Sequence, residues 1–217
     1  MFFDPLYLLF LGPALVLGLL AQWRVKSAMA RNSEIANAAG LTGAQVARTL
    51  LDAHSVTGVR IEETDGILSD HYDPSKRVLR LSHAIYHGRS VTSAGVAAHE
   101  AGHAMQHQAA WGPLVFRQAL APMAIWGSNL SWILIMLGLF LHPVVAWIGV
   151  VIFSVAVVFT LVTLPVEFDA SRRAKAALAD LGLVSSSDRE GVASVLNAAA
   201  MTYVLPRPRR SSSCCTS

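Results

Sequence analysis

The segment His99-Glu100-Ala101-Gly102-His103 combines residue types and a spacing that can do hydrolytic chemistry. On a helix, positions i and i+4 lie about 40° apart, so His99 and His103 can aim two imidazoles at one ion. Neutral imidazole nitrogen is a good zinc ligand, and two of them leave the site incomplete. Glu100 projects to the side of that pair, where it can take a proton from a water activated by the metal. Zinc lowers the pKa of such a water towards neutrality, and Glu100 can then pass the proton to the leaving amine. The spacing therefore points to metal-assisted peptide hydrolysis, with one Zn2+ as cofactor and a polypeptide as substrate. Gly102 inside the helix costs about 1 kcal/mol relative to Ala, which argues for close approach of another element or of substrate.

A third ligand has to come from elsewhere. A metzincin would need His at position 109 with Gly three residues before it; Ala109 and Gln106 stand there instead, which excludes that class. His107 continues the i+4 series, but three ligands along one helix span about 12 Å of rise. That is too far for one ion and leaves His107 a surface role or one beside the ligands. Glu167 is the first carboxylate after a long uncharged stretch and stands where a new helix should begin. Asp169 is the alternative, either as the ligand itself or as a group that orients a ligating histidine. His71, in Ser69-Asp70-His71-Tyr72-Asp73-Pro74, is a further candidate neighbour of the site. Asp73, His83 and His87 read as surface or turn residues.

The elements that must position these residues can be read from patterning. Thr42 and Gln45 fit a capping box opening a helix to about Ala53. Strands are expected over Val56 to Glu62, Ile67 to Tyr72 and Val78 to Ser82, the last two joined by the turn Asp73-Pro74-Ser75-Lys76. From about Ser90 the pattern is helical and carries the HEAGH motif. An exposed edge of one of these strands is a place for an extended substrate to pair. A final helix is expected from a capping box of Ser187 and Glu190 to about Val204, followed by a disordered tail.

Composition favours a membrane protein: 53% of residues are hydrophobic and 14% charged, with a mean hydropathy of +0.47, against about a quarter charged in soluble domains. Leu6 to Trp23 is long and apolar enough for a span. The only charge before it is Asp4, which favours an uncleaved anchor over a signal peptide. No Asp, Glu, Lys or Arg occurs between Arg117 and Glu167. That length fits two spans, Met123 to Leu141 and Val144 to Leu164, turning at His142-Pro143. All 17 Lys and Arg residues lie in 24–117 or after 167, so with three spans both regions share one face, which the positive-inside rule makes cytoplasmic. Basic residues form no stripe with interleaved aromatics, which argues against nucleic acid. The spans lack ionisable groups apart from His142, which argues against metal transport. Cys214 and Cys215 suggest neither a disulfide framework nor a zinc knuckle.

The expected fold class is thus a mainly α membrane protein: about three transmembrane helices plus a small α+β, zincin-like cytoplasmic domain carrying the HExxH helix. Its units would be an anchor (1–23), a catalytic region (24–117), a hairpin in the lipid bilayer (118–166), a helical segment with the third ligand (167–204) and an atypical tail (205–217). A zinc-binding membrane scaffold without turnover is the alternative function.

The stretches FFDPLYLL, LSDHYDPSKRVLRLS, VAAHEAGHAMQH, LPVEFDASRRA and LNAAAMTYV resemble the YugP-like family of bacterial membrane zinc metallopeptidases, itself distantly similar to HtpX-type proteases. The resemblance implies a multi-pass protein of the bacterial inner membrane with its active site facing the cytoplasm. It implies His99, His103 and Glu167 as zinc ligands and Glu100 as catalytic base. HtpX-type proteases carry an acidic residue four positions after that glutamate; here it is Ser171. Family members usually continue past a segment like AAAMTYV into another apolar stretch, where this chain reads LPRPRRSSSCCTS.

Overall fold

The computed structural model describes residues 5–202, and among them helix predominates over one small sheet. The apolar run near the N-terminus and the basic residues behind it form a single helix, α1 (Pro5–Ser33). The next, α2 (Gly43–Ala53), starts at the expected capping box: Thr42 Oγ1 accepts from the Gln45 N–H, and Gln45 Oε1 accepts from the Thr42 N–H. Val46, Ala47, Leu50 and Leu51 recur on one face of α2 and are fully buried in the core.

Three strands follow: β1 (Arg60–Thr64), β2 (His71–Asp73) and β3 (Val78–Ser82). Their order is β1-β3-β2, with β1 parallel and β2 antiparallel to β3. The central β3 occupies the expected residues and is the most apolar because both of its faces are covered. The edge strands differ from expectation. β1 begins at Arg60 rather than Val56, because Val56 and Val59 join the core from the irregular segment ahead of it. β2 starts only at His71, not Ile67, which is 94% exposed.

After the short α3 (His83–Tyr86), the Ser90 hydroxyl caps α4 (Val91–Gln108) by accepting from the Ser93 N–H. This helix carries the HEAGH motif and is buried along nearly its whole length. Its Ala, Gly and Ser side chains let neighbouring helices come close. A Cβ on Gly102 would lie 2.6 Å from the Ala170 carbonyl oxygen. The glycine is therefore where the backbone of a later helix crosses α4.

The uncharged stretch folds as a hairpin of α5 (Gly112–Phe140) and α6 (Pro143–Asp180), both long and apolar enough to cross a membrane. His142 caps α6 at the expected turn by accepting from the Val144 N–H. The two helices pack closely at Gly149, where a Cβ would lie 2.9 Å from Ile135 N and Ser131 O. Trp126, Phe140, Leu141 and Trp147 point outward, each at least 67% exposed. Apolar surface of that kind is uncommon on soluble monomers.

α5 contains the expected span and also extends ahead of it, to Gly112. One expectation about this region is corrected. α6 does not stop near Leu164 but runs unbroken through Pro165 and Glu167 to Asp180, so Glu167 opens no new helix. Pro165 removes only its own N–H from the ladder, which a helix held by neighbours on both sides tolerates.

The last described helix, α7 (Ser186–Thr202), packs against α1, α4 and α6. Its cap is Ser185 with Asp188, not Ser187 with Glu190: the Asp188 N–H donates to Ser185 Oγ and the Ser185 N–H to Asp188 Oδ2. Asp188 Oδ2 also accepts from the Ala38 N–H, a tertiary bond that fixes this earlier start. The expected extension to Val204 and the tail 205–217 lie outside the described residues.

Candidate active site

The HEAGH turn of α4 places His99 and His103 one above the other, their ring centroids 4.8 Å apart and nearly perpendicular. Across the Gly102–Ala170 contact, α6 lowers Glu167 onto both. Glu167 Oε2 lies 3.1 Å from His99 Nε2 and 3.4 Å from His103 Nε2. One donor atom from each of the three lies within 4.8 Å of the other two. All three are buried, with Glu167 only 1% exposed. The structure therefore brings together the three residues singled out as ligands.

The donor set fits zinc, which takes imidazole nitrogen and carboxylate oxygen in four-coordinate sites with one position open for water. A second observation agrees. Glu167 Oε1 is buried and makes no hydrogen bond; its nearest cation, Arg117 Nη2, is 3.7 Å away. A buried carboxylate oxygen without a donor is costly unless a charge compensates it. Arg117 Nε and Gln118 Nε2 are likewise buried without partners.

The groups behind the histidines bear on which ring nitrogens are free to act as ligands. The Gln106 side-chain amide donates to Val166 O and Asp169 Oδ2, each at 2.9 Å. Its carbonyl oxygen is thereby turned to His103 Nδ1, 3.0 Å away. A carbonyl only accepts, so His103 carries its proton on Nδ1 and presents Nε2 as a lone pair. Ser171 Oγ sits 3.2 Å from His99 Nδ1; a hydroxyl can donate or accept, so it orients that ring without choosing its tautomer. Ser171, four positions after Glu167, is thereby placed beside the histidine.

Asp169 is not placed among the candidate ligands. Its oxygens accept from Gln106, from Arg173 Nε at 2.6 Å and from Arg172. It holds the amide that holds His103, one step further out than the orienting role foreseen. His107 also stands apart, its Nδ1 bonded to the Tyr72 hydroxyl at 2.8 Å. His71 is exposed, with Nδ1 2.7 Å from Ser69 O and Nε2 facing Arg80. His83 and His87 lie away from this cluster and meet Glu63.

Glu100 is buried next to the pair. Its Oε2 accepts from the Tyr72 N–H at 2.9 Å. Tyr72 lies opposite Leu79 on edge strand β2, so the edge strand fixes the carboxylate and leaves Oε1 for a proton. Burial pushes the Glu100 carboxyl up to about 7, with His99 opposing and the charges of Glu167 and Asp70 adding to the rise. Asp70 itself accepts from the Ser82 N–H at 2.7 Å and from the Ser82 hydroxyl at 3.0 Å, pinning the start of β2 to the end of β3.

Gln106, Tyr72 and Arg117 were not singled out from the sequence. Gln106 had a signal, since it stands one turn after His103 on the same helix face. The other two reach the site only through tertiary structure. Replacing the fully buried Gln106 by Leu keeps the volume and removes the acceptor for His103 Nδ1. Zinc affinity of Gln106→Leu, measured by competition with a chelator, should fall by about 10–100-fold. Unchanged affinity would show that the ring needs no such support.

Comparison with known proteins agrees with the geometry. A family model described as "Putative neutral zinc metallopeptidase" matches residues 7–207. The "Putative membrane protease YugP" of Bacillus subtilis (strain 168) is 43% identical over 192 residues, covering 88% of this chain and 85% of that protein. No solved structure matches significantly. With a family match over nearly its entire length, the chain belongs to this family of zinc metallopeptidases.

Proposed function

We propose that the protein is a membrane-bound, zinc-dependent endopeptidase of gluzincin type, acting on membrane or membrane-proximal polypeptides. The observation that carries this reading is the meeting of His99, His103 and Glu167 beside a buried Glu100. Zinc, when bound, supplies a Lewis acid that activates water and polarises the scissile carbonyl. His99 and His103 hold it through Nε2, with Ser171 and Gln106 fixing their ring orientation. Glu100 takes the proton of the attacking water on Oε1 and delivers it to the leaving nitrogen. The bond from Tyr72 to Oε2 keeps that carboxylate aimed during both transfers. An exposed strand edge of the sheet is where an extended substrate would pair.

In this reading α1, α5 and α6 supply three spans in a bacterial inner membrane. The polar end of α6, with α4 and the sheet, works at the cytoplasmic face, as the distribution of basic residues supports. The polypeptide substrate and the lipid bilayer are then its partners. Inside-out membrane vesicles carrying the chain should cleave an added unfolded protein and stop on chelation. Cleavage should return with zinc, and right-side-out vesicles should be inactive. Activity confined to right-side-out vesicles would invert the topology. A chain that holds stoichiometric zinc yet cleaves nothing from a broad peptide library would instead be a zinc-binding scaffold.

A further inference from the structure

A second group of potential ligands lies on the surface, at the edge of the sheet away from Glu100. Glu63, near the end of β1, reaches His83 and His87, which stand at i and i+4 on α3 and its cap. Its two carboxylate oxygens are divided between them. Oε1 lies 2.5 Å from His83 Nδ1 and Oε2 3.2 Å from His87 Nε2. The imidazole centroids are 4.9 Å apart, and Tyr86 packs edge-on at the same distance from the His87 ring. One donor atom from each of the three residues lies within 4.8 Å of the other two.

We propose that Glu63, His83 and His87 form a second, exchangeable site for a divalent transition metal such as zinc. Ligand atoms about 2.1 Å from a tetrahedral ion are about 3.4 Å from one another, so the Glu63–His83 contact must open while the three donor atoms already lie within 4.8 Å of one another. The side chains are 41%, 81% and 56% exposed, so they can make that adjustment and water can complete the coordination. Two imidazoles with one carboxylate suit zinc, nickel or copper better than calcium or magnesium, which prefer all-oxygen sites. Among the described residues, no Lys or Arg forms an ion pair with Glu63. Its carboxylate is met only by the two imidazoles that would join it as ligands, and no ring nitrogen here is shared with the HEAGH site.

The location gives the site a consequence. Glu63 and His83 are 20 residues apart, and the chain between them carries β2 and β3, including Asp70 and the Tyr72 N–H that holds Glu100. An ion joining the two ends closes this loop and restricts its opening. Metal at the surface would thus stiffen the edge strand without touching the reacting atoms.

The inference is independent of the peptidase reading and is tested by zinc titration of the full chain in detergent. In a Glu167→Ala background, zinc chloride should still load one exchangeable ion per chain. His83→Ala/His87→Ala in the same background should lose it while keeping the wild-type circular dichroism. Glu63→Gln alone should weaken it. Zinc should also slow backbone hydrogen exchange over 64–82 in the parent and not in the double variant. An exchangeable ion that persists in the double variant, or none in the parent, overturns the site. Loading without slower exchange overturns the clamp.

Discussion

Glu100→Gln should hold as much zinc as the wild type and cleave about 10²–10⁴-fold more slowly. The replacement is nearly isosteric, and its amide oxygen can still accept from the Tyr72 N–H, so β2 stays docked on α4. His99, His103 and Glu167 are untouched. What disappears is the ability of the second oxygen to take a proton and release it to the leaving nitrogen. The loss should therefore fall on kcat, with KM little changed, because no contact that binds a peptide in the ground state has been removed. Zinc content by elemental analysis and turnover of an unfolded protein substrate make the comparison. Wild-type turnover by the amide variant would remove Glu100 from the mechanism, and loss of zinc would give it a ligand's role instead.

The parts of this site that were legible in the sequence are those fixed by local chemistry. The i, i+4 histidines need only a helix, and the Thr42 cap, the helix start near Ser90 and the His142-Pro143 turn follow from short-range patterning. β3 could be bounded to the residue because its apolar Val78, Leu79 and Leu81 follow directly on the Asp73-Pro74-Ser75-Lys76 turn. The misplacements have tertiary causes. β1 is an edge strand whose sequence RIEET is half exposed, while the apolar Val56 and Val59 beside it pack without pairing. The return of charge at Glu167 resembled a helix start. It marks instead where a continuous α6 meets α4 and α7 and gains polar partners. Gln106 was used only to exclude one peptidase class, because its bond to Asp169 spans 63 residues that no local rule connects.

That same bond separates the two carboxylates competing for the role of third ligand. Glu167→Ala should strip the chain of its tightly held zinc, since it removes one of three donors and leaves two imidazoles on one helix. The affinity loss should exceed the roughly 10–100-fold expected for a group behind a ligand. Asp169→Ala should keep zinc stoichiometric at saturation and weaken it within that range, because Gln106 loses one of its two acceptors but retains Val166 O. Its larger effect should be on stability. Asp169 is 5% exposed and takes bonds from Arg172, Arg173 and Gln106, and removing it takes a buried acceptor from all three, with only Gln106 keeping a second one in Val166 O. Elemental analysis of wild type and both variants after chelator washing, together with their thermal unfolding, distinguishes these outcomes. Zinc lost from the aspartate variant and retained by the glutamate variant would exchange their roles. Because Glu167 sits on the helix that continues α6 beyond its apolar stretch, the first outcome would also make the hairpin part of the metal site: any tilt of α6 against α4 at Gly102 would move a ligand.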